Sequence, residues 1–142
     1  MSSQKLPISY QSGVTLVRIS LGVMWIAHAL LKLLVFTLPG TAQYFQSIGL
    51  PGWLAYWVFS LEIIGGLALV IGFYARQFTL ILLPIMASAT VVHIPNGWVH
   101  TSVGGGWEYP LFLCVVSIAL WLAGDGILAL KRSNRFTFEP KA

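Results

Sequence analysis

The sequence predicts an all-α integral membrane protein, a four-helix bundle with both termini in the cytoplasm. Composition, four long apolar runs and the placing of the basic residues carry that prediction. Of the 142 residues, 57% are hydrophobic and 8% are charged, and the mean hydropathy is +0.82, whereas a soluble domain is about a quarter charged. Eight Lys and Arg with four Asp and Glu are too few to cover a chain of this length in water. This excludes a cytosolic enzyme, a nucleic-acid binder and a disordered chain. The pI of about 9.5 does not indicate DNA, because the basic residues cluster where apolar segments end, and there they set orientation in a membrane.

Each run is judged against the roughly 20 residues that cross a bilayer core as a helix. The first spans residues 14–38 and is interrupted by Arg18, His28 and Lys32; the second, 53–74, carries Glu62. The third, 78–94, is the shortest and carries His93, and the fourth, 109–130, has Asp125 near its end. Between them lie breaker-rich connections at 39–52, 75–77 and 95–107. Alternating ten-residue segments are absent, which argues against a β-barrel. Lys5, Arg18, Arg76, Lys131, Arg132, Arg135 and Lys141 then fall on one side and Lys32 alone on the other, so the positive-inside rule puts both termini in the cytoplasm and the two long loops outside. Trp53, Trp57, Trp98 and Trp107 fall near that outer interface. The run ISLGVMWI before Ala27-His28-Ala29 imitates a signal-peptide cleavage site. However, the apolar stretch continues through LLKLLVF, and cleavage would spoil the charge asymmetry.

Ionisable side chains are costly in hydrocarbon, so those that persist face a partner or a cavity. At 1.5 Å per residue, His28 and Glu62 both lie about 12 Å below the outer surface. Lys32 is one turn above His28, His93 stands near the outer end of the third run, and Glu108 opens the fourth. These five groups are expected to converge in the outer half of the bundle. Facing imidazoles and carboxylates suit a transition-metal site built from His28, Glu62, His93 and Glu108, and Met24 and Met86 permit a softer variant for copper. An apolar slot with a proton-transferring pair, His28 with Glu62 or His93 with Glu108, equally suits a quinone. A purely structural network in which Glu62 pairs with Lys32 or a histidine is the third reading.

Other polar groups read more plainly. His100, in a loop with Gly104-Gly105-Gly106, is expected to be solvated, on a segment able to act as a lid. Arg18 is expected to snorkel to the inner interface, and Asp125 to meet Lys131, Arg132 or head-group water. Cys114 has the setting of a small buried apolar residue. Gly65-Gly66 marks a close helix approach, and no glycine motif fits a flavin or nicotinamide.

In order along the chain, Arg18, Leu21-Gly22, His28-Ala29-Leu30-Leu31-Lys32, Glu62, Gly65-Gly66, Gly72-Phe73-Tyr74-Ala75-Arg76, His93 and Glu108 resemble the motifs of the DoxX family. These are small bacterial membrane proteins related to the DoxD subunit of thiosulfate:quinone oxidoreductase. Ala29 and Ala75 stand where the family has glycine and threonine, and Gly124-Asp125-Gly126 does not reproduce the family's tail. The resemblance runs from Arg18 to about Leu130 and implies a four-span inner-membrane protein tied to redox chemistry or to sulfur and metal stress, often beside soluble partners. A fold does not by itself transfer an activity.

The leading expectation is therefore a redox-associated inner-membrane subunit of a quinone-linked oxidoreductase system. His28, Lys32 and Glu62 are its candidate catalytic residues, and His28, Glu62, His93 and Glu108 its candidate quinone- or metal-binding residues. Its surroundings are the lipid bilayer and a soluble or membrane redox partner, with no nucleic acid. A metal-handling protein using the same cluster is the second reading, and a non-catalytic assembly factor the third.

Overall fold

The computed structural model describes residues 6–134 and 136, which form five α-helices; an isolated bridge joins Phe73 to Lys131. Helix α1 is Ile8–Leu30, continued by a π-turn at Leu31–Val35; α2 is Leu38–Ser47, α3 Leu54–Ile71, α4 Ala75–His93 and α5 Glu108–Ala123. Three segments are long and apolar enough to cross a membrane: Ile8–Val35, Leu54–Ile71 and Ala75–Asn96. About a third or less of each is buried inside the protein. Side chains such as Leu16, Leu34, Ile64, Val91 and Phe112 face outward, an apolar surface that suits lipid.

The ends of these helices differ from the sequence expectation, for identifiable reasons. The first run starts as helix at Ile8, behind Pro7, where the lost N–H is no cost. The second stops at Ile71, because Gly72 takes φ 72°. Ala75, Arg76 and Gln77, read as a connection, are the first residues of α4. The fourth run is helical only to Ala123, at 16 residues, or about 24 Å. Gly124 at φ 116° and Gly126 at φ 74° turn the chain back. The 39–52 loop contains α2. Thr37 caps it by accepting from the backbone N–H of Gly40 at 3.1 Å, and Pro39 sits in its first turn, an N-terminal signature that the sequence carried.

The basic end shows why the chain turns where it does. A helix leaves its last four carbonyls without partners, and in α3 all four are met. Phe73 N–H donates to Ala68 O at 2.8 Å, Gly72 N–H to Leu69 O at 3.3 Å, and Leu130 N–H to Ile71 O at 3.1 Å. The first two make a Schellman cap. Arg18 donates through Nη1 to Leu69 O at 2.7 Å and to Val70 O at 3.2 Å.

Arg18 is fully buried and does not snorkel: carbonyls aimed at it from two directions replace the interfacial water it would otherwise seek. Asp125 is also buried. It meets neither Lys131 nor Arg132, and its Oδ2 accepts from Ser133 N–H at 3.1 Å. Arg76 opens α4 with its Nη2 on Leu122 O at 3.4 Å, and Lys131 N–H donates to Gly72 O at 3.0 Å, so Arg18, Arg76, Lys131 and Arg132 share one end. Lys5, Arg135 and Lys141 lie outside the described residues.

Packing joins α1 to α3 and α4 to α5, with α3 against α4 between the pairs. The α1–α3 approach rests on glycine. A Cβ on Gly22 would lie 2.7 Å from Gly66 O and 2.9 Å from Val70 N, and one on Gly66 would lie 3.0 Å from Gly22 O, whereas Gly65 admits α4, its added Cβ lying 2.7 Å from a methyl of Leu82. Helices that close meet through van der Waals contact where no water drives them together. Around that seam Leu21, Trp25, Leu69, Leu82, Met86, Leu113 and Leu120 fill the core. Cys114 packs at its edge, with Sγ 3.8 Å from Thr90 Oγ1.

Candidate functional site

Lys32 and Glu62 meet in the half of the bundle away from the basic end. Lys32 Nζ donates to both oxygens of Glu62 at 2.9 Å. The side chains are 17% and 4% exposed, so the carboxylate is sealed in while the ammonium keeps an edge outward. Glu62 sits mid-helix on α3, where straight-chain residues lose little rotamer freedom.

Lys32 lies on the π-turn, which Phe36 N–H closes onto Leu31 O at 3.0 Å. Such turns insert one extra residue and recur at functional sites. No spacing or breaker residue in the sequence marks it.

His28 stands one turn before Lys32. Its Nδ1 lies 3.0 Å from Met24 O, and because a carbonyl only accepts, Nδ1 carries the proton and Nε2 is left for another partner. The ring stacks on Tyr109 of α5, with centroids 6.2 Å apart and planes 20° apart. Tyr109 in turn lines an open groove of about 720 Å³ with Trp98, His100, Glu108, Leu111, Phe112 and Val115. One aromatic ring thus joins the face of α1 that carries His28 and Lys32 to an apolar groove on α5.

His93 ends α4 with its own Nδ1 spent on Ala89 O at 2.7 Å, and Gly105 lies over its ring, where an added Cβ would come within 3.4 Å of Cδ2. Glu108 turns outward. Its Oε1 accepts from the backbone N–H of His100 at 2.7 Å and from His100 Nδ1 at 2.9 Å. His100 is exposed, as its loop position implied, but it has drawn Glu108 to itself.

The loop over this end is held by its own bonds. Asn96 Nδ2 donates to Gly104 O and Gly105 O at 3.0 and 2.9 Å, and Trp98 packs edge-on to Trp107 at 4.5 Å. Of the five groups expected to converge, the structure pairs Lys32 with Glu62 and sets His28 beside Lys32 on the helix. It joins neither His93 nor Glu108 to that pair by a hydrogen bond or ion pair. Among the described residues no three His, Cys, Asp or Glu gather in a way that could hold a metal ion.

Comparison with known proteins adds the family. The DoxX profile matches residues 13–94, a stretch that contains most of α1, all of α2 and α3, and α4 with His93. The chain belongs to the DoxX family. This DoxX protein is also 31% identical over 134 residues, 94% of its own length and 92% of the relative's, to Putative oxidoreductase CatD of Bacillus subtilis (strain 168). No solved structure matches it. The matched stretch carries Arg18, His28, Lys32, Glu62 and His93, whereas Glu108 lies beyond it.

Proposed function

We propose that this DoxX protein is a membrane subunit of a quinone-linked oxidoreductase system, with its site in the outer half of the bundle. The observation that carries the reading is the buried Lys32–Glu62 pair beside His28, stacked on the tyrosine that lines an apolar aromatic groove. A relative described as an oxidoreductase supports the redox half of it.

A quinone, when bound, exchanges electrons and protons together, and such a ligand asks its site for an apolar aromatic slot and a proton-handling group at one end. The residues fit those needs. Trp98, Tyr109 and Phe112 offer the slot. Lys32 Nζ is hydrogen-bonded to both Glu62 oxygens, so a proton can shift within the pair without either charge being stranded. The partly exposed Lys32 gives the pair a route to outer water. His28 Nε2 is the free acceptor beside them, and His93 Nε2, under Gly105, is a second one nearer the surface. Glu108 and His100 belong to the groove's rim.

Purified detergent-solubilised protein, extracted and analysed for quinone and metal with an optical spectrum, tests this. The expected result is copurifying quinone that His28→Ala and Glu62→Gln displace, with His93→Ala staying folded. Stoichiometric metal lost in His28→Ala and His93→Ala would favour the metal reading instead, which at present lacks a three-donor cluster to support it. Neither ligand, with variants that behave normally in cells, would leave an assembly factor.

The orientation belongs to the same proposal. With α5 as the fourth crossing, the basic end faces the cytoplasm. Reporter fusions at residue 142 and residue 102 are expected to read cytoplasm and exterior respectively, and a cytoplasmic signal from residue 102 would reverse the site's sidedness.

A further inference from the structure

The bundle has a second buried polar centre at its inner end, independent of the outer site. After Ala123 the chain does not leave the bundle. Residues 124–134 run back across the ends of α1 and α3 as a strap. Thr15 Oγ1 donates to Ile127 O at 2.8 Å, Arg18 Nη2 to Leu128 O at 3.3 Å, and Lys131 O accepts from Tyr74 N–H at 3.0 Å. Gly72 permits the crossing, since a Cβ there would lie 2.6 Å from Ala129 Cα.

Three polar atoms in this centre are buried yet have no hydrogen-bond partner among the described residues: Arg18 Nε, Asp125 Oδ1 and Ser133 Oγ. Buried polar atoms are nearly always satisfied, by protein or by ordered water. Ser133 is tied to Asp125 by its backbone N–H, and Arg18 Nη2 reaches Ile127 O, two residues beyond Asp125, at 3.5 Å, although Arg18 and Asp125 make no direct ion pair.

The chemistry of the unmet atoms selects the ligand. A cation would be repelled by the guanidinium and an anion by the carboxylate. A molecule that accepts from Arg18 Nε–H and donates to Asp125 Oδ1 satisfies both, and water does so at a small cost in immobilisation entropy.

We propose that Arg18, Asp125 and Ser133 enclose a site for bound water that completes a hydrated ion pair and fastens the 124–134 strap across the inner end of α1 and α3. Arg18 then has two roles: it caps α3 through Nη1 and holds the strap through Nη2 and the water.

Hydrogen exchange on the full-length protein in detergent tests this, read on peptides covering residues 124–134 with α4 as the internal reference. Asp125→Asn removes the charge but keeps an acceptor for Ser133 N–H, and Arg18→Gln removes the guanidinium. Each is expected to speed strap exchange about tenfold or more while α4 stays protected. If the two act through one hydrated pair, the double variant is no faster than the faster single one, because residues in one network are non-additive. Unchanged exchange in Asp125→Asn, or single effects that multiply in the double variant, would overturn the proposal and leave the strap held by its backbone bonds alone. Should Arg18→Gln fail to fold, Asp125→Asn against Ser133→Ala supplies the same cycle with the same criterion.

Discussion

Lys32→Met on its own is expected to cost about 3 kcal/mol of stability, because it leaves the Glu62 carboxylate buried without a counter-charge. The figure is at the low end for a buried pair, since Lys32 keeps 17% of its side chain exposed. The double variant Lys32→Met with Glu62→Leu is expected to recover most of that loss, because apolar residues of similar volume often replace a buried ion pair at little cost. Unfolding in a denaturing detergent titration measures both. If the pair is only scaffold, the double variant also behaves as wild type in cells. If the pair handles protons, the double variant folds and fails.

The second large effect is steric. Gly22→Val is expected to separate α1 from α3, since its Cβ would lie 2.7 Å from Gly66 O and 2.9 Å from Val70 N, and backbone atoms cannot swing aside as a side chain can. Overpacking of this kind costs about 1–3 kcal/mol, and here the seam also carries the Lys32–Glu62 pair, because Glu62 lies on α3 and Lys32 on the π-turn that continues α1. The same denaturation assay should show destabilisation. Gly13→Val is the matched control, because nothing lies within 4 Å of an added Cβ there. Equal effects at both positions would mean that the close approach contributes nothing.

How much of this was legible beforehand depended on the physics each residue obeyed. Helix rise alone put His28 and Glu62 at one depth, and the penalty for burying charge implied a partner, which proved to be Lys32. The Gly65-Gly66 pair announced its close contacts. Arg18 was misread because snorkelling assumes that interfacial water offers the best acceptors. The sequence did not show that the carbonyls of Leu69, Val70, Ile127 and Leu128 would converge on it.

Asp125 was misread for the same reason, since its partner Ser133 becomes available only after Gly124 and Gly126 reverse the chain. Glu108 was placed at the correct end, but its capture by His100 depends on loop geometry that no periodicity encodes. The α2 helix could have been read from Thr37 and Pro39. The π-turn at Lys32 could not, because it differs from an α-turn by one hydrogen bond.

On the function proposed above, the Lys32–Glu62 pair serves ligand chemistry and not the fold alone. The most direct measurement is a binding titration of a short-chain benzoquinone against purified protein, followed by quenching of tryptophan emission, with Trp98 reporting from the groove. Wild type is expected to saturate, and the folded Lys32→Met, Glu62→Leu double variant to bind at least about tenfold more weakly, a loss of roughly 1.4 kcal/mol. Saturable binding of equal affinity in the two proteins would contradict the account and return the pair to a structural role.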